Sequence, residues 1–106
     1  MVFDTKRLHW TNHAKKKMRY YGLSESRVKR VLRNFDRQEK GIAPKTIAVM
    51  AKAGTEKRPY EIWVMYQPQK SKINIITAWK YPGISPIREE IPIPLDIVKE
   101  LRNLKF

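Results

Sequence analysis

The chain has 106 residues, enough for one domain with a modest core. An apolar share of 42% is too high for a disordered chain, and no apolar run nears the roughly 18 residues of a membrane-spanning helix. The absence of cysteine excludes disulfide staples and thiolate zinc sites.

The formal charge of +13 is the strongest signal, and it is unevenly placed. Residues 1–40 carry a net +8, residues 41–83 a net +5, and residues 84–106 a net zero. Self-repulsion of this size destabilises a compact chain unless an anionic partner relieves it. Nucleic acid is the usual such partner, and an acidic protein is the next. The first residues, Met1 to Lys6, hold no signal-peptide stretch, and a cytoplasmic location is expected.

In chain order, Arg7 to Trp10 suits a short strand, stopped by Thr11 or Asn12, either of which can cap a helix. A first helix is expected over His13 to Tyr21, ended by Gly22 as a left-handed cap. Ser24 is a second N-cap, and a second helix runs from Glu25 to Arg33. Val28, Val31, Leu32 and Phe35 recur at helical spacing and give it one apolar face. The two helices make a hairpin.

The period then changes to two. Strands are expected at Thr46 to Lys52, Tyr60 to Tyr66 and Ile73 to Lys80, with a short earlier strand near Arg37 to Ile42. Tyr60, Ile62, Val64 and Tyr66 point one way, and Trp63 and Met65 the other. Apolar residues on both faces mark a central strand. Ile84 to Pro94 contains Pro86, Pro92 and Pro94 and reads as an extended connector. Pro94 suits the first turn of a last helix packed through Ile97, Val98, Leu101 and Leu104. The expected architecture is α+β, a helical hairpin packed on an antiparallel meander, with the connector and last helix (84–106) packed on the same domain.

Two histidines, His9 and His13, are the only imidazoles. A helix start falls between them, so they do not share a face, and no metal site is expected. No cofactor motif is present. On the first helix His13, Lys16, Lys17 and Tyr20 fall at i, i+3, i+4 and i+7 and line one side. An imidazole beside lysines can move protons near neutral pH while the lysines hold a phosphate. A plainer alternative is a solvated basic face. Arg19, and Arg27 and Arg30 on the second helix, extend the basic surface. Thr77, Trp79, Lys80 and Tyr81 close the last strand; aromatics beside lysines suit single-stranded RNA, although most rings in so small a domain are core.

The run from His13-Ala14 through Lys17-Met18 to Gly22-Leu23-Ser24, followed by the Val28/Val31/Leu32 helix and the Ile75-Ile76-Thr77-Ala78-Trp79 strand, resembles an uncharacterised domain family related to RelE-like toxins. The likeness spans about residues 8 to 83. It implies a RelE-like fold and metal-independent endoribonuclease chemistry, with attack of a ribose 2′-hydroxyl on the neighbouring phosphate. His13 would be the base or acid, Lys17 would steady the phosphate, and Thr77 would hold it or orient a partner. It also implies RNA or the ribosome as substrate and an acidic antitoxin as partner. Lys17 stands where the family prefers Arg and loses the bidentate fork; Tyr21 replaces a second Arg. A non-catalytic RNA-binding module and a protein-interaction domain docking through the last helix are the alternatives.

Overall fold

A computed structural model describes residues 7–87 and 89–102. Two helices, α1 (Asn12–Tyr21) and α2 (Glu25–Arg33), follow a short strand β1 (Leu8–Trp10). Four strands come next: β2 (Arg37–Lys40), β3 (Ile47–Gly54), β4 (Pro59–Pro68) and β5 (Ile73–Pro82). The helix α3 (Leu95–Arg102) ends the described chain. Leu104, expected on its apolar face, lies outside the described residues.

The caps set the helices. Thr11 accepts the amide of Ala14 at the start of α1, and Ser24 accepts the amide of Arg27 at the start of α2. Gly22 takes φ 68°, and Leu23 N–H reaches back to Met18 O at 2.7 Å, which closes α1 in a Schellman turn. Leu23 is then buried beside Met18.

The five strands form one sheet in the order β1-β5-β4-β3-β2. The pairings from β2 to β5 are antiparallel, as a meander requires, but β1 runs parallel to β5. The sheet is therefore mixed, a departure from the all-antiparallel expectation. A parallel neighbour needs a long crossover, and here everything from α1 to β4 supplies it. β4 is central, as its two apolar faces require. Ile62, Val64 and Tyr66 pack toward Ala14, Met18, Val28, Val31 and Leu32 of the helical hairpin. Trp63 and Met65 face Ile97 and Leu101 of α3 on the other side. The connector is apolar where it counts: Ile91 and Ile93 pack against this second core. Among the described residues no helix is long and apolar enough to cross a membrane.

The connector is tied to the sheet by a buried polar network. Glu61, on β4 and fully buried, accepts from Trp63 Nε1 (3.0 Å), Ser85 N (3.0 Å) and Ser85 Oγ (2.7 Å). Arg37 donates to Ser85 Oγ and to the carbonyls of Pro86, Ile87 and Glu89, with its guanidinium 5.2 Å from the Trp63 ring centre. A planar cation with five donors suits such a strap of carbonyls.

Candidate functional site

The site begins with an irregularity in β5. Tyr66 pairs with Ile75, but Met65 pairs with Thr77, so Ile76 is an extra residue, a β-bulge. The bulge resets the alternation, and Thr77 and Trp79 then share the α3 face with Met65 and Trp63. It also frees carbonyls. Thr11 Oγ1 donates to Ile75 O at 2.7 Å and to Ile76 O at 3.2 Å, while still capping α1. One threonine thus starts the helix and pins that start to the bulge, which carries His13 to the bulged strand.

His13 Nε2 lies 3.0 Å from Thr77 Oγ1, and its Nδ1 lies 3.0 Å from Glu100 Oε2 of α3. One turn along α1, Lys17 Nζ meets Asp96 Oδ2 at 2.7 Å and Glu100 Oε1 at 2.8 Å. The side chains of His13 and Lys17 are each only 7% exposed, and Thr77 is fully buried. A carboxylate can only accept, so Glu100 fixes the proton of a neutral His13 on Nδ1. Nε2 then carries the lone pair and accepts from the Thr77 hydroxyl.

The electrostatics favour the neutral imidazole. Burial lowers the His13 pKa from its ordinary 6.5, helped by Lys17 and Lys16 and opposed by Glu100 and Asp96. For Lys17 burial also works against the charged form, but hydrogen bonds to Asp96 and Glu100 outweigh it and raise its pKa. Hydrogen bonds from Lys17 lower both carboxyls, against their own desolvation.

The His13 and carboxyl shifts weaken the fold on acidification, whereas the stability that goes with the raised Lys17 pKa is lost only at alkaline pH. A histidine whose folded pKa lies below 6.5 binds fewer protons folded than unfolded, so stability is lost as pH falls from 6.5 through the folded value. The two carboxyls contribute fully above their ordinary 3.8 and 4.5 and fail as pH falls through their lowered values. The thermal midpoint is expected to fall on acidification from pH 7 to 5, and His13→Gln to flatten that stretch. An identical slope in the variant would show that His13 is not its source.

The structure thus brings His13, Lys17 and Thr77 together. It separates the other sequence candidates. Lys16, Arg19 and Tyr20 are exposed on α1, with Tyr20 5.5 Å from Lys17 Nζ. Arg27 donates to Tyr60 Oη at 2.9 Å, and Lys80 Nζ lies 5.3 Å from the Tyr60 ring centre, a second basic–aromatic cluster on the helical-hairpin face. Arg30 is exposed on α2, and Tyr81 is half-buried against the second core. Trp79 offers no surface for bases: it is fully buried and stacked on Trp63, with centroids 5.8 Å apart and planes 3° from parallel. His9 is exposed on β1, apart from His13, and among the described residues no group of three His, Cys, Asp or Glu side chains is placed to hold a metal ion.

Matched against protein-family models, curated proteins and solved structures, the chain finds no counterpart.

Asp96 and Glu100 were not legible as site residues. Their i, i+4 spacing on α3 mirrors that of His13 and Lys17 on α1, and this was the available signal. A groove of about 1240 Å³ lies elsewhere, between α3 and the loop Ile42 to Pro44. Glu39, Glu89 and Glu90 offset Lys40 and Arg102 there, so it does not concentrate positive charge for an anionic ligand.

Proposed function

We propose that this domain is a RelE-like, metal-independent endoribonuclease whose base is His13. The observation that supports it is the convergence of His13, Lys17 and Thr77, from α1 and the bulge of β5, on a chain of net charge +13. Lone-pair Nε2 takes the proton of a ribose 2′-hydroxyl, whose oxygen attacks the adjacent phosphorus. The bond to the 5′-oxygen breaks, and that oxygen takes a proton from water while the His13 imidazolium returns its own to solvent, leaving a cyclic phosphate and a 5′-hydroxyl. Lys17 balances charge on the phosphoryl oxygens, and Thr77 holds the imidazole until substrate takes its place. Lys16, Arg19 and Arg30 supply exposed charge for the phosphate backbone.

The test is cleavage of a mixed-sequence RNA in EDTA, wild type beside His13→Ala. Wild type is expected to leave cyclic-phosphate ends. The variant should lose about 10²–10⁴-fold in rate while its RNA affinity stays within a few-fold. Equal cleavage by both would remove His13 from the reaction.

A second reading has its own support. The covered state of His13 and Thr77 contrasts with the accessible basic residues of both helices, which suits a binding module with no cleavage. Salt-dependent RNA binding without cleavage by either protein would favour it. A role for α3 as a protein-docking helix is weakened, because Ile97 and Leu101 are spent on the second core.

A further inference from the structure

We infer that α3 is a latch whose two carboxylates stand in for substrate phosphates and keep the His13 site closed until RNA displaces them. This rests on the RNA-directed reading of the site.

The geometry is that of a substituted anion. Asp96 and Glu100 both take hydrogen bonds from Lys17 Nζ, the donor a phosphodiester would use, and Glu100 alone also sits on His13 Nδ1. They come one turn apart, matching the one-turn spacing of His13 and Lys17, so a single helix face serves a single helix face. Together they leave the buried ammonium of Lys17 no need of an external partner.

The charge distribution points the same way. The body of the domain carries the whole +13, and the segment from residue 84 onward carries none. Two of the four acids in that segment, Asp96 and Glu100, are placed on the buried Lys17, and Glu100 also on the buried His13. Were α3 merely a cover for Trp63 and Trp79, Ile97 and Leu101 would suffice, and the facing positions would not need carboxylates.

The attachment is also graded. The connector is anchored firmly at Ser85 by Glu61 and Arg37. Beyond it, α3 has eight residues, and its carboxylates remain 53% and 33% exposed while the groups they cover are 7% exposed. Short helices have little stability of their own, and solvated ion pairs are weak and screened by salt. Arg37 holds the connector as far as Glu89 O, and Ile91 and Ile93 pack on the second core, so the hinge falls between Ile93 and Leu95, and lifting α3 also withdraws Ile97 and Leu101 from that core. A site closed most of the time binds with an affinity reduced by the open fraction, so opening it must raise apparent affinity.

The experiment compares wild type, Asp96→Asn/Glu100→Gln, and Glu89→Gln/Glu90→Gln. The last gains the same two units of charge outside the site, at exposed side chains. Binding of a short oligouridylate is measured by titration, and hydrogen exchange of the Ile97 to Leu101 amides with and without it. The latch predicts about tenfold or more tighter binding for the Asp96/Glu100 variant, and no more than a few-fold for the control. In wild type, the oligonucleotide should strip protection from α3. Equal gains in both variants, or α3 amides that stay protected in bound wild type, overturn the latch and leave RNA binding standing. If the Asp96/Glu100 variant fails to fold, the wild-type exchange decides alone. If none of the three binds the oligonucleotide, the RNA-directed reading falls and the latch falls with it.

Discussion

Glu61→Ala is expected to destabilise the domain by about 3–5 kcal/mol, the scale of removing one partner from a buried charged network. Domains of this kind have only about 5–15 kcal/mol in hand, so the variant should be marginal at physiological temperature. The loss has three sources. Trp63 Nε1, Ser85 N and Ser85 Oγ all donate to this carboxylate, and each becomes a buried donor without its acceptor. Arg37 keeps its carbonyl partners but loses the Ser85 hydroxyl as a fixed neighbour. Glu61→Gln should fall between, because its amide nitrogen cannot accept from a donor. Urea unfolding gives the size, and hydrogen exchange at Ser85 gives the cause: its amide should lose protection before the sheet does. A Glu61→Ala protein within about 0.5 kcal/mol of wild type would show that the network is ornamental.

Trp79→Ala should cost a similar amount, about 3–5 kcal/mol, through the cavity it opens under α3. Trp79→Phe should cost far less. Trp79 Nε1 has no hydrogen-bond partner among the described residues, so phenylalanine removes an unsatisfied donor while keeping most of the stack on Trp63. The same change at Trp63 should be worse, since it takes from Glu61 Oε1 one of the two donors it accepts. These contrasts separate a core ring from a base-stacking one. A Trp79→Ala protein with wild-type stability and weakened RNA binding would return that residue to the surface role its neighbours Lys80 and Tyr81 suggested.

Local signals in the sequence were sufficient for local structure. Thr11, Gly22 and Ser24 carry enough cap chemistry to bound two helices, and the double-sided apolar pattern of Tyr60 to Tyr66 placed β4 at the centre. The register of Thr77 with Trp79 was also readable, but not what their shared face meets. Thr77 lies opposite His13 only because of a bulge that no glycine marks; Ile75-Ile76 simply repeats an apolar residue where alternation should continue. The ion pairs were hidden for a different reason. Lys17 and Asp96 are 79 positions apart, and a charge on a short helix reads as solvated until its partner is known. Trp79 followed the common fate of rings in a small domain, which composition favoured over the stacking role.

The parallel pairing of β1 with β5 sets an order of assembly. Leu8 meets Ile73, and His13 meets Thr77, across some 65 residues of intervening chain. The helical hairpin can form early from local contacts, but its seat is missing until β5 exists, and contacts of this range slow folding through the loop they must close. During synthesis β1 and α1 must wait until β5 has been made. Thr77 arrives late and the carboxylates of α3 later still, so a partly made chain carries the histidine without the pocket that gives it a role.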